Sequence, residues 1–203
     1  MHSKDNAPAG SGPINNSTVF ANLPDVHTPR LILRKMRLSD ADDMFAYARD
    51  PDVSRYLVWT PHASVDEARG FLAYVASRYA AGLMEDWGIE HRATQRFIGT
   101  AGYFFWDEPH RRAEMHYCLS KDFWGQGLMT ETITAIITFG FERMGLHRVE
   151  AKCFPDNAGS EKVLRKVGMQ YEGLMRDGLF AKGIFHDLKT FALLATDPRP
   201  VKE

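Results

Sequence analysis

The 203-residue chain carries 25 Lys and Arg against 26 Asp and Glu, for a formal net charge of −1, with 44% hydrophobic and 25% charged residues. That balance is ordinary for a soluble globular protein and supplies no global electrostatic pull toward nucleic acid or an anionic membrane. No apolar run nears the ~20 residues of a membrane span and no apolar h-region opens the chain, so a cytoplasmic protein without a membrane partner is expected. The length suits one domain with a real core, or one domain plus a tail.

Residues 1–27 are rich in Gly, Ser, Asn and Pro without a hydrophobic period. They read as a flexible tail, because such a segment buries too little apolar surface to offset its ordering entropy. Leu31-Ile32-Leu33-Arg34 reads as a first strand. Ser39 can cap a helix that turns Met44, Phe45, Tyr47 and Ala48 inward, and Asp50-Pro51-Asp52 stops it. Val53 to His62 is irregular and aromatic. Ser64 with Glu67 fits a capping box, opening a helix with Phe71, Leu72, Val75 and Tyr79 on one face and Gly82 at its end. Trp87 to Glu90 and Phe97 to Trp106 read as a hairpin around Ala93-Thr94-Gln95.

Ala113 to Ser120 alternates cleanly. Ala113, Met115, Tyr117 and Leu119 share one face; Glu114, His116, Cys118 and Ser120 share the other. Lys121 to Gly127 forms a loop. A helix follows with Met129, Ile133, Ile136, Ile137, Gly140, Phe141 and Met144 at helical spacing, and Gly145 closes it. Arg148 to Phe154 is another strand. Pro155-Asp156-Asn157 turns into a short helix, Ser160 to Val167, closed by Gly168. Gln170 to Arg176 and Asp187 to Leu194 read as a final strand pair joined by Gly178 to Gly183. The domain is therefore expected over residues 28–197, with 198–203 as a short tail. Strands and helices mix without strict alternation, which predicts an α/β (α+β) fold: a mixed, largely antiparallel twisted sheet flanked by helices, with one parallel crossover.

Within this order the strand, loop and helix around Gly125 and Gly127 carry the clearest chemistry. Two glycines one residue apart let backbone N–H groups converge at a helix N-terminus, where unpaired donors and the dipole favour an anion. Cys118 and Cys153, the two cysteines of the chain, lie in strand-like runs and are expected as reduced thiols. The histidines lack metal-ligand spacing, so no metal is expected.

Four segments in succession, Thr28 to Arg34, Ala113 to Leu119, Trp124 to Glu131, and Asn157 to Gly173, resemble the GNAT superfamily of acyl-CoA-dependent N-acetyltransferases. The branch they resemble is that of RimJ/RimL-like ribosomal-protein N-terminal acetyltransferases. The resemblance implies a GNAT fold with splayed central parallel strands and acetyl-CoA as co-substrate. It implies that Trp124, Gly125, Gln126, Gly127, Leu128, Met129 and Thr130 hold the coenzyme A pyrophosphate. Main-chain groups of Leu119 and Ser120 are then expected along the pantetheine arm, with Asn157 beside it and Ser160 near the thioester sulfur. The chain departs from many relatives at Met129, where they carry Gly or Ala, and at Leu179, where some carry a glutamate.

The implied reaction is direct attack of a primary amine on the thioester in a ternary complex, which needs a base for the amine and a donor for the thiolate. Glu114 is the expected base, with His116 on the same strand face more readily read as a packed neutral imidazole. Ser160 is the expected donor. A protein or peptide N-terminus is the leading acceptor, and a small amine, amino acid or antibiotic the alternative. A non-catalytic acyl-CoA-binding sensor is the rival of another class. The basic helix face of Lys162, Arg165 and Lys166 reads as solvated surface rather than a nucleic-acid site. A monomer or homodimer is compatible with the sequence.

Overall fold

The computed structural model describes residues 19, 20 and 22–199. One eight-stranded sheet organises them in the order β1-β2-β3-β4-β5-β6-β8-β7. Its strands are β1 (Val26–His27), β2 (Leu31–Arg34), β3 (Trp87–His91), β4 (Arg96–Asp107), β5 (Arg112–Leu119), β6 (Arg148–Cys153), β7 (Gln170–Ala181) and β8 (Ile184–Leu194). Neighbours pair antiparallel except β5 and β6, which run parallel. Helices α1 (Ala41–Ala48), α2 (Pro51–Ser54) and α3 (Val65–Ala80) precede β3, α4 (Leu128–Glu142) forms the crossover from β5 to β6, and α5 (Ala158–Lys166) follows β6.

The two faces of the sheet are covered differently. On one, Tyr47 of α1 stacks on Phe97 of β4, and the Tyr79 hydroxyl of α3 donates to the Asp86 carbonyl. On the other, the Tyr103 hydroxyl donates to the Ile136 carbonyl of α4 at 2.9 Å, and Trp87 meets Phe139 edge-on. Phe97 and Tyr103 have the same parity along β4 yet face opposite ways. A bulge explains this: the register steps from Ile89↔Gly99 to Glu90↔Phe97, and one extra residue flips every side chain beyond it.

Several expectations need adjustment. Residues 1–18 lie outside the described residues, but the chain is already packed at Val19 and Phe20, which are buried with Leu23. Pro24 accepts a hydrogen bond from the Trp87 indole at 2.8 Å, and β1 pairs with β2. A few apolar anchors in a polar stretch leave no period to read. Ser64 caps α3 without a side-chain hydrogen bond, while Glu67 accepts from the Ala63 amide one residue further out, and Phe71 is exposed. Asp50-Pro51 ends α1 but also starts α2, with the Asp50 carboxylate accepting from the Asp52 amide. The last two strands run on until only Lys182 and Gly183 connect them, both at positive φ (51° and 84°), as a tight hairpin turn requires.

Gly140 shows how closely α4 sits on the sheet. A Cβ there would lie 2.2 Å from the Tyr103 hydroxyl oxygen. Gly140→Ala should therefore cost about 1–3 kcal/mol of unfolding free energy, measured by urea denaturation. Combining it with Tyr103→Phe should recover part of that loss, because the obstructing oxygen is gone. Strict additivity of the two substitutions would contradict this close approach.

Candidate functional site

The site begins where a glycine pair turns β5 into α4. Gly125 and Gly127 both adopt left-handed φ (75° and 76°), and an added Cβ at Gly125 would find no atom within 4 Å. The turn therefore needs glycine for its backbone, and its outer side is open. Gly127 is the N-cap of α4, and the first bond back along the helix runs from Glu131 N–H to the Gly127 carbonyl at 3.1 Å. The amides of Leu128, Met129 and Thr130 precede that bond and make up the donor end of the helix. Met129 is buried, so the larger side chain at this position is turned into the core and not toward the amides.

A cation and an anchor stand behind the loop. Arg30 donates through Nη1 to the Gln126 carbonyl at 2.9 Å and through Nε to Glu131 at 2.7 Å. Glu131 also accepts from the Thr28 hydroxyl at 2.6 Å and the Arg30 amide at 2.9 Å. One carboxylate in the first turn of α4 thus fastens the β1–β2 turn against the loop. Partial burial raises the Glu131 carboxyl, but the Thr28 hydroxyl and both Arg30 donors outweigh it and hold its pKa below the ordinary value.

Beside the loop the two parallel strands part. Their register runs from Arg112↔Arg148 to Met115↔Ala151 and stops, although β5 continues along β4 to Leu119 and β6 along β8 to Cys153. The far half of β5 therefore has main-chain groups on one side without a strand partner. Ser120 is not among them: its N–H donates to Ile98 at 2.7 Å and its carbonyl accepts from Phe123 at 3.0 Å. Its expected main-chain contact with a ligand is corrected accordingly. By the alternation of a strand, the groups turned away from β4 belong to Leu119 and Tyr117. The Leu119 carbonyl accepts the Trp124 indole N–H at 2.8 Å, which ties the loop to the strand.

The period of two then places neighbouring residues of β5 on opposite faces. On the α4 side, the Tyr117 hydroxyl lies 2.7 Å from Ser160 Oγ. Burial holds the Tyr117 phenol well above its ordinary pKa, with the Ser160 hydroxyl pulling the other way, so this pair is two neutral hydroxyls near pH 7. Ser160 is not the helix cap. That role belongs to Asn157, whose Oδ1 accepts the Ser160 amide at 3.0 Å. Asn157 and Ser160 are thereby fixed relative to each other, and the Ser160 hydroxyl is left to Tyr117.

On the α1/α3 side lie Glu114, His116 and Cys118. Glu114 sits in the still-paired part of the strands, opposite Glu150, and its carboxylate is 12% exposed and bound to Lys152 at 2.7 Å. His116 is the first residue past the last parallel pair, and its Nε2 lies 2.7 Å from Asp86 Oδ1. Burial pushes the Cys118 thiol up to about 12, which keeps it protonated. Nearby, the Tyr56 hydroxyl donates to the Asp156 carbonyl, its ring packs on Phe154, and Phe154 packs on His186. Lys182 donates to the Ser54 carbonyl at 2.7 Å. The loop after α2 and the β7–β8 hairpin thus meet at the open end of the parting strands.

Sequence reasoning located the loop, β5, Asn157 and Ser160. It assigned no role to Arg30, Tyr117 or Asp86. Arg30 and Tyr117 stood inside segments already singled out, whereas Asp86 lies outside any motif and is identified only by its contact across the sheet.

A family model described as "Acetyltransferase (GNAT) domain" matches residues 30–170. Among curated proteins, the chain is 38% identical over 172 residues to an uncharacterized N-acetyltransferase p20 of Bacillus licheniformis, covering 85% of this chain and 97% of that one. It is 25% identical over 194 residues to the [ribosomal protein uS5]-alanine N-acetyltransferase of Escherichia coli, covering 89% and 96%. Among solved structures, the fold superposes with a TM-score of 0.73 on RimL, a ribosomal L7/L12 alpha-N-protein acetyltransferase in complex with coenzyme A. That match spans 84% of this chain and 98% of the other at 22% identity.

The Glu131 anchor gives a measurable consequence. Its lowered carboxyl contributes stability above the unfolded value of about 4.3, and that contribution is lost as pH falls through the folded value below it. Glu131→Gln should cost about 1–3 kcal/mol at pH 7. In urea denaturation the gap to wild type should close as pH drops below ~4.

Proposed function

Since the chain belongs to the GNAT acetyltransferase family and is an N-acetyltransferase, we propose that it transfers acetyl from acetyl-CoA to the N-terminal amine of a protein or peptide. Enzymes of this family use acetyl-CoA. The observation that carries the reading is the conjunction of two features: strands that part after Met115↔Ala151, and a double left-handed glycine loop opening α4 next to them. The likeness to the uS5-alanine N-acetyltransferase over most of both chains supports the acceptor class.

In this reading the amides of Gln126 to Thr130 receive the pyrophosphate, with Trp124 and Gly125 shaping the loop and Arg30 adding positive charge behind it. The pantetheine arm lies along Leu119, replacing the strand pairing that β6 no longer provides. Asn157, with its Oδ1 committed to the helix, offers its amide nitrogen to the arm. The neutral amine attacks the thioester carbon, the C–N bond forms, and collapse of the oxyanion breaks the C–S bond. Holding both substrates in one cleft lowers such a barrier by up to roughly 7–11 kcal/mol. The Ser160 hydroxyl donates to the departing thiolate.

Acetyl-CoA at 100 times its Kd should stabilise the protein by about 2.7 kcal/mol, read as a rise in Tm. Gly127→Val should abolish that rise while leaving the unliganded protein folded. A thiol-release screen with peptides beginning in Ala, Ser or Met should show turnover, and small amines should react more slowly. Ser160→Ala should lower kcat by about 100-fold with little change in the acetyl-CoA Tm rise. Thiol release from small amines alone would replace the peptide acceptor.

A further inference from the structure

His116 and Asp86 form a pair that the fold goes out of its way to make. Asp86 directly precedes β3, and in sheet order a single strand, β4, lies between β3 and the β5 strand that carries His116. On β4 the residue opposite His116 is Gly102. A Cβ at Gly102 would lie 2.4 Å from Asp86 Oδ1 and 2.8 Å from its Cα. The Asp86 carboxylate therefore crosses β4 through the space that any side chain at this position would fill. It reaches the imidazole on β5 at 2.7 Å. The main chain of Asp86 is held in turn, because its carbonyl accepts the Tyr79 hydroxyl.

The position of the pair matters as much as its geometry. His116 is the first residue beyond the last parallel pair, so it flanks the opening where Tyr117, its neighbour, faces Ser160 on the other side. Phe104 is the extra residue in a bulge of β4, between Tyr103↔Met115 and Phe105↔Glu114, and its ring packs 5.1 Å from the imidazole. A carboxylate only accepts hydrogen bonds, so the ring hydrogen bound to Asp86 sits on Nε2, and Nδ1 keeps a lone pair. The His116 side chain is 52% exposed, whereas Asp86 is 11% exposed. Glu114, by contrast, is committed to Lys152.

We propose that His116, oriented by Asp86, is the general base that takes the proton of the attacking amine on the α1/α3 face of the opening. This inference rests on the acetyl-transfer reading given above. As the C–N bond forms and the carbonyl π electrons move to oxygen, the nitrogen loses its proton to His116 Nδ1. The C–S electrons leave with sulfur, and the imidazolium later returns its proton to solvent. Asp86 is a positioning residue: it fixes the tautomer and favours the imidazolium. The groups facing the ring support the assignment. Desolvation disfavours the charged ring, but Asp86, with Glu85 beside it and Glu114 along β5, outweighs that and raises the His116 pKa above its ordinary value. On the same face, Tyr47 of α1 and Cys118 stay neutral because burial raises both, and Tyr79 is likewise raised by burial. Lys152 is paired with Glu114, and Arg34 with Asp40 and Glu90. Raising the imidazole pKa makes it the stronger base toward the amine proton.

The test compares pH–rate profiles of wild type, His116→Gln, Asp86→Asn and Glu114→Gln, with acetyl-CoA and the best peptide acceptor. Wild type should show an acid limb in kcat at saturating peptide, which reports groups of the bound complex and not the free amine. His116→Gln should lower kcat by about 100-fold, remove that limb, and keep the Tm rise with acetyl-CoA. Imidazole should restore part of the rate. Asp86→Asn should move the limb to lower pH, and Glu114→Gln should leave it in place. A His116→Gln enzyme with wild-type kcat and an unchanged limb overturns the assignment while leaving acetyl transfer intact. So does loss of the limb in Glu114→Gln alone. A wild-type protein that binds acetyl-CoA yet acetylates no amine overturns the functional reading itself. Should Asp86→Asn unfold, the limbs of His116→Gln and Glu114→Gln decide the assignment on their own.

Discussion

The parting of β5 from β6 is the constraint on which the rest of the molecule depends. Parallel pairing lasts for only four registered residue pairs, Arg112↔Arg148 through Met115↔Ala151. Each strand is then held by its antiparallel neighbour alone, β5 by β4 and β6 by β8. Unpaired main-chain groups inside a domain are costly unless a partner or solvent meets them. A sheet that opens in its middle therefore needs firm flanks. The flanks are firm: the α4 side is closed by Tyr103 on Ile136 and Trp87 on Phe139, and the α1/α3 side by Tyr47 on Phe97.

The ends of the opening are tied by specific polar contacts. At the loop end, Glu131 draws Thr28 and Arg30 together, and Trp124 holds the Leu119 carbonyl. At the other end, Tyr56 reaches the Asp156 carbonyl and Lys182 the Ser54 carbonyl. Arg34 adds a buried lock on the α1/α3 side, bidentate to Asp40 at 2.8 Å and bonded through Nε to Glu90. Desolvation disfavours its charge, but the two carboxylates outweigh it, so the guanidinium stays ionised. Removing one partner of such a pair would leave an uncompensated buried charge, which is costlier than replacing the whole group.

How much was legible in the sequence follows from the range of each signal. The alternation of Ala113 to Leu119 and the helical spacing after Met129 are local patterns, and both elements stand where they were expected. Gly125 and Gly127 announced a turn because positive φ favours glycine at the residue itself. The hairpin of β7 and β8 was cut short because the irregularity between Met175 and Leu179 resembles a loop in one dimension. The engagement of the Ser120 amide with Ile98 is a matter of which way a strand's donors turn, and composition carries no trace of it. Gly102 is the sharpest example. In sequence it is a glycine in a strand, and only the sheet shows that its missing side chain is the passage from Asp86 to His116.

The alternation of β5 also turns a single strand into a partition. Tyr117 and Ser160 stand on one side of it, and His116 and Asp86 on the other, with one backbone's thickness between them. No chain of side-chain hydroxyls or imidazoles has to thread that wall. A proton taken up on one side and a proton given out on the other need not be the same proton. The two pairs can be tuned separately: a change of residue type on one side resets its acidity without touching the contacts on the other. In the proposed mechanism the strand would act as an insulator between proton uptake at His116 and proton release at Ser160.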